Sequence, residues 1–83
     1  MNTEFEKLVK ALVAPIVTNP DDVSISSFMD AEETIVLQVL VSKDDLGRVI
    51  GKSGRIANAI RTIVYASASK SGKKVKVEFD SYQ

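Results

Sequence analysis

Gly51-Lys52-Ser53-Gly54 lies between two stretches of helical character, and it constrains the fold more than any other part of the chain. Glycine is used where the backbone must turn sharply or let a ligand come close. Apolar Val49 and Ile50 come just before, and a helical run from Gly54 or Arg55 to about Ser69 comes just after. Any fold of this chain must therefore hold a tight turn, poor in side chains, between two helices. A helix that starts at such a turn offers free N–H groups and the positive end of its dipole. With a cation at Lys52, the local chemistry suits a passing phosphate backbone.

The remaining elements follow from apolar spacing. Phe5, Leu8, Val9, Leu12, Val13 and Ile16 recur at helical intervals, with Thr3 and Glu6 placed as a capping box and Pro15 set to kink or end the helix. Asn19-Pro20-Asp21-Asp22 reads as a turn. Residues 23–29 read as a strand, Asp30–Glu33 as a polar turn, and Thr34–Val41 as a central strand. Ser42 is placed as the cap of a two-turn helix that runs to Ile50. After the second helix, Ser71-Gly72 turns the chain. Val75, Val77 and Phe79 then alternate with charged residues as a half-buried strand.

The order is α-β-β-α-α-β, which predicts an α+β two-layer sandwich: a three-stranded mixed sheet with helices on one face. The first two strands suit an antiparallel hairpin. The last two are joined by a helical crossover, so they should be parallel with a right-handed connection. Residues 1–83 make one domain, with 81–83 expected as a loose tail.

Composition removes several function classes. The chain has no cysteine and no histidine. Disulfides and thiolate metal sites are excluded, a zinc site has no suitable ligands, and the commonest general base is missing. With no recognisable pair of catalytic carboxylates either, no enzyme activity, metal or cofactor is expected. No apolar run reaches the roughly 18 residues of a membrane span. The start is acidic and lacks a signal peptide's basic and apolar regions, so the expected address is the cytoplasm.

The net charge is zero, but its distribution is not even. Residues 1–42 carry two lysines and seven acids, whereas residues 43–76 carry nine Lys or Arg and two Asp. A basic half around the glycine turn is an electrostatic footprint that the average conceals.

Two motifs compete for the glycines. A nucleotide-binding P-loop needs four residues between its first glycine and Gly-Lys-Ser/Thr. Here Gly47 and Gly51 are separated by three, and the preceding segment reads as helix rather than strand. The stretch Asp44-Asp45-Leu46-Gly47-Arg48-Val49-Ile50-Gly51-Lys52-Ser53-Gly54-Arg55, in this element order, instead resembles the GXXG region of the K-homology (KH) family, in its bacterial type II topology. The resemblance covers essentially the whole chain.

It implies a single-stranded RNA-binding domain that clamps about four nucleotides. The implied contacts are Arg48, Val49, Ile50, Gly51, Lys52, Ser53, Gly54 and Arg55, with Lys70, Lys73 and Lys74 bordering the groove on its far side. The floor would be Val49, Ile50 and side chains of the strand Ile35–Val41. Ser53 would donate to phosphate or cap the following helix, and Arg61 reads as a solvated surface charge. One departure is Ala57, where the family usually carries a large aliphatic residue; Ile56 stands one position earlier, which predicts a shifted packing under the loop. The resemblance to small bacterial single-domain members further implies RNA-chaperone activity, homodimers, and a complex with a larger RNA-binding partner, KhpB (also called Jag or EloR). It links them to cell-wall growth and cell shape.

The helix after the loop is apolar over a wide arc. Ala57, Ile60 and Val64 point toward the sheet, and Ile56, Ala59, Ile63 and Ala66 form a neighbouring row. The arc, about 200°, exceeds the roughly 100° stripe of an ordinary surface helix. Either the first helix covers the excess, or Ile56, Ala59 and Ile63 form a self-association face. A protein-assembly module without an RNA ligand is therefore the competing function.

Overall fold

The computed structural model describes residues 3–82, the side chain of Thr3 excepted. The elements are α1 (Thr3–Val13), β1 (Ser24–Met29), β2 (Ile35–Val41), α2 (Lys43–Ile50), α3 (Arg55–Lys70) and β3 (Val75–Ser81). Short 3-10 turns lie at Pro20–Asp22 and Lys52–Gly54. This is the α-β-β-α-α-β order, and the sheet runs β1-β2-β3. β1 is antiparallel to β2 and β3 is parallel to it, as the hairpin and the helical crossover require.

The α1 helix ends before Pro15, which cannot continue the backbone ladder. The capping box depended on the Thr3 side chain, which lies outside the described residues. Phe5, Val9 and Val13 are buried on one face of α1, at spacings of four. Full burial of each valine stabilises the fold by about 1.5–3 kcal/mol.

Alternation sorts the sheet into two faces. Ile35, Leu37, Val39 and Val41 of β2 join Val77 of β3 in the core beneath the helices. The other face carries the cross-strand row Phe28–Val36–Lys76. From α3, Ala57, Ile60, Val64 and Ala68 are buried, the row that the helical period points toward the sheet.

Two expectations need adjustment. Ser42 is the N-cap residue of α2, as expected, but makes no side-chain cap bond; its hydroxyl donates to the Asp45 carboxylate at 3.0 Å instead. The end of the chain is tied to the sheet rather than loose: Ser81 belongs to β3, and the Tyr82 N–H donates to the Val41 carbonyl at 3.2 Å. A parallel neighbour continues to offer acceptors at that end, so pairing extends to Tyr82. Gln83 lies outside the described residues.

Candidate nucleic-acid interface

The turn at residues 51–54 is built from left-handed backbone. Gly51 has φ 70° and Ser53 has φ 55°, a conformation uncommon for a residue with a Cβ. Gly51 is fixed by packing as well as by angle. A Cβ there would stand 2.8 Å from Cγ1 of Ile56, which lies under the turn and packs against the core. That contact answers the question raised by Ala57: the small residue is buried at 2% exposure, and Ile56 fills the space beneath the loop. Ile56 is thus a support of the turn more than a part of an outer face.

The hydrogen bonds of the turn leave donors over. The Gly51 N–H donates to Gly47 O at 2.9 Å, and the Gly54 N–H donates to Gly51 O at 3.4 Å. Among the described residues, the N–H groups of Lys52 and Ser53 meet no backbone acceptor outside the turn. Both residues are exposed. Ser53 makes no cap to α3, whose N-cap is Gly54 without a side-chain bond. Lys52 and Arg55 form no ion pair among the described residues. Two amide groups, one cation and the positive end of a 16-residue helix therefore converge on one exposed turn.

Other residues grouped with the turn are placed differently. Ile50 is partly exposed beside it at 37%, but Val49 is fully buried in the core and offers a ligand nothing. The β2 side chains facing the helices are buried too, so they are no groove floor. Lys73 and Lys74 follow the far end of α3, about 24 Å along the helix axis from the turn. Lys73 pairs there with Glu4 at 4.0 Å and stands 5.8 Å from the centroid of Phe5. Its contacts are with α1, away from the turn.

A different set of side chains leads away from the turn. Asn58, Arg61 and Tyr65 follow Gly54, the N-cap of α3, at spacings of four, three and four, one stripe of α3 alongside β3. Arg61 is no solvated charge. Its Nε donates to Val77 O at 3.0 Å, its Nη1 donates to Asn58 Oδ1 at 3.2 Å, and its guanidinium lies 5.2 Å from the centroid of Phe79. The Tyr65 hydroxyl accepts from the Val77 N–H at 3.4 Å. The helical spacing of Asn58, Arg61 and Tyr65 was visible in the sequence; their meeting with Val77 and Phe79 required the parallel register.

In the sequence Asp45 is only one member of the KH-like stretch Asp44–Arg55. It is fully buried, with Thr18, Asn19 and Ser42 donating to its carboxylate. Chiefly the Thr18 N–H, then the Thr18 hydroxyl, the Asn19 N–H and the Ser42 hydroxyl, hold its carboxyl well below the ordinary carboxylate range, against desolvation acting the other way.

Comparison with known proteins agrees with this architecture. The model described as KhpA/KhpB, KH domain, matches residues 6–79. A protein of Listeria monocytogenes named RNA-binding protein KhpA is 48% identical over 74 residues, which is 89% of this chain and 96% of the relative. The protein of that name in Clostridium perfringens is also 48% identical, over 89% of this chain and 97% of its own. That of Bacillus subtilis is 44% identical, over 89% and 90%. With a type II KH architecture, a match across residues 6–79 and relatives of this similarity, the chain belongs to the KhpA/KhpB family of KH-domain proteins.

Proposed function

We propose that the chain binds single-stranded RNA and holds its backbone at Gly51–Gly54. The observation that carries this reading is the exposed left-handed turn at the head of α3, with two N–H groups free of backbone acceptors outside the turn and Lys52 without an ion pair. Its relatives are named for RNA binding, which favours RNA over other phosphate ligands. From the turn the strand runs past Arg55 and Ile50 and along the Asn58–Arg61–Tyr65 stripe. Arg guanidinium planes and aromatic rings there suit unstacked bases. Lys73 and Lys74 stand outside this path.

By family, the protein acts without catalysis as an RNA chaperone or post-transcriptional regulator in the cytoplasm. In the same reading it works as a homodimer and with KhpB, in cell-wall growth and cell-shape control. A homodimer presents two turns, so avidity offsets weak single-site binding.

The test is fluorescence anisotropy with short single-stranded RNA, comparing wild type with Lys52→Asp/Ser53→Asp. Two negative charges at the turn should abolish binding while thermal melts remain those of a folded protein. Equal binding by both proteins would remove the turn from the site. Contact with three or four phosphates predicts a slope of about −2 to −3 in log K against log salt.

One observation favours a second reading, a protein-assembly module. Ile63 is 47% exposed, and Ala59 and Ala66 beside it are exposed, so α1 does not cover this row. The face is Ala59 and Ile63, with Ile56 mostly committed below the turn. Sedimentation showing a monomer at high micromolar concentration would exclude self-association through it.

A further inference from the structure

Asp45 is the one fully buried charged residue among the described residues, and it lies in the first turn of the helix that carries the glycine turn. Burying a carboxylate is costly unless donors surround it. Here they do. Oδ1 accepts from the Thr18 N–H at 3.0 Å and the Thr18 hydroxyl at 2.8 Å. Oδ2 accepts from the Asn19 N–H at 3.0 Å, the Asn19 side-chain amide at 3.3 Å and the Ser42 hydroxyl at 3.0 Å. Four of these five donors come from the segment between α1 and β1, 26 or 27 residues away in sequence.

α2 has eight residues, too few to hold a helix by its own propensity. Its position depends on what it buries. Among the described residues only Asp45 and Val49 are fully buried in it, four apart and so on one face. Val49 anchors that face in the core, and Asp45 anchors it to the Thr18–Asn19 backbone. Two such anchors fix both rotation and tilt. The C-cap of the helix is Gly51, so whatever fixes α2 sets where the turn begins. The sixth neighbour of the carboxylate is Arg48, whose Nε stands 3.5 Å from Oδ1 while its side chain is 59% exposed. The guanidinium is thus restrained at one edge and open to solvent at the other, three residues before the turn.

We infer that Asp45 is a positioning residue for the RNA clamp: it hangs α2 on the Thr18–Asn19 segment and orients Arg48 toward a phosphate beside Gly51–Gly54. The inference rests on the RNA-binding reading of that turn. It has a consequence opposite in sign to simple electrostatics. A negative charge near a phosphate site repels RNA, so its removal should tighten binding. If the charge serves to orient a cation and a helix, its removal loosens binding instead.

The experiment uses fluorescein-labelled oligouridylate and the full chain, at a temperature where melts show every variant folded. Asp45→Asn keeps the shape and one acceptor oxygen but turns an N–H toward the Asn19 N–H. Its affinity should fall on the order of tenfold, and Arg48→Gln should have little further effect in that background although it weakens the wild type. A merely structural role would leave the effect of Arg48→Gln the same in both backgrounds. Thr18→Val retains the charge and the backbone donor and loses one hydroxyl donor. It should weaken binding a few-fold, and it carries the test if Asp45→Asn does not fold.

Asp45→Asn binding as well as or better than wild type, or additive effects of Asp45→Asn and Arg48→Gln, would overturn the inference. So would unchanged binding by Thr18→Val. Lys52→Asp/Ser53→Asp, run in parallel, separates the two claims. If that variant loses binding and Asp45→Asn does not, the turn is the site and Asp45 has no part in it. If that variant binds like wild type, the clamp reading fails and this inference fails with it.

Discussion

The two turns that bracket α3 are made from the same residue types and do different things. Gly51-Lys52-Ser53-Gly54 precedes the helix and Ser71-Gly72-Lys73-Lys74 follows it. The second is a Schellman cap: the Gly72 N–H donates to Ser69 O at 3.1 Å and the Lys73 N–H to Ala68 O at 2.9 Å. The amide groups of Ser71, Gly72 and Lys73 are satisfied by the helix that they end. A Cβ at Gly72 would meet nothing within 4 Å, and Lys73 is held by Glu4 and Phe5. The first turn has the opposite state in each respect. Its glycine is crowded by Ile56, its lysine is unpaired among the described residues, and two of its amides lack such backbone acceptors. Glycine with lysine is therefore not a phosphate site by composition. In the proposed reading it serves as one where the helix begins at the turn, because the orphan groups at a helix start are donors.

Acid should separate the two ends most strongly. A carboxyl held below its unfolded value contributes stability that is complete above about 3.8 and is lost as pH falls through the lower folded-state value. Asp45 anchors α2, so in acid the hydrogen-bonded Gly51 amide should lose its protection from exchange before those of Ser71, Gly72 and Lys73. Simultaneous opening would remove the distinction.

Glycine replacement comes next. Gly51→Ala combines left-handed backbone with overpacking against Ile56, about 2–5 kcal/mol in all. Gly72→Ala has φ 67° but open space, so only the backbone cost of about 1–2 kcal/mol applies. Chemical denaturation of both measures the difference, and equal losses would mean that Ile56 yields freely. Salt then tests the lysines. Lys52→Gln should reduce the steepness of the RNA salt slope by about 0.7, the value of one single-strand phosphate contact, and Lys73→Gln should leave it unchanged. The smallest effect is expected for the stability of Lys73→Ala. An exposed pair and a cation over a ring are each worth about 1 kcal/mol or less.

Local periodicity made most of the fold legible. The buried row Ala57, Ile60 and Val64 follows from 3.6 residues per turn, and the parallel β3 follows from the helical crossover. The distance of Lys73 and Lys74 from the turn was not legible because a tally of charge along a sequence has no direction in space. The 16 residues of α3 carry them away from the turn. Val49 and Ile50 looked equivalent, but a short helix has one inner face, and Val49 occupies it. Asp45 was not legible as an anchor because its donors at Thr18 and Asn19 are remote in sequence. A faint signal existed: Ser42 and Asp45 have capping-box spacing, but an aspartate replaces the longer Glu or Gln of that motif.

The outer edge of β3 has a consequence for how copies of this chain can meet. Lys74 and Tyr82 bond toward β2, so the odd-numbered residues between them turn their peptide groups outward. Arg61 and Tyr65 already occupy both groups of Val77, at the middle of that edge. A foreign strand arriving there would find its ladder interrupted after one or two rungs, which is too short a run to register. This border is closed to the edge-to-edge stacking that leads toward fibres, and the closure uses two side chains of α3 instead of an added strand.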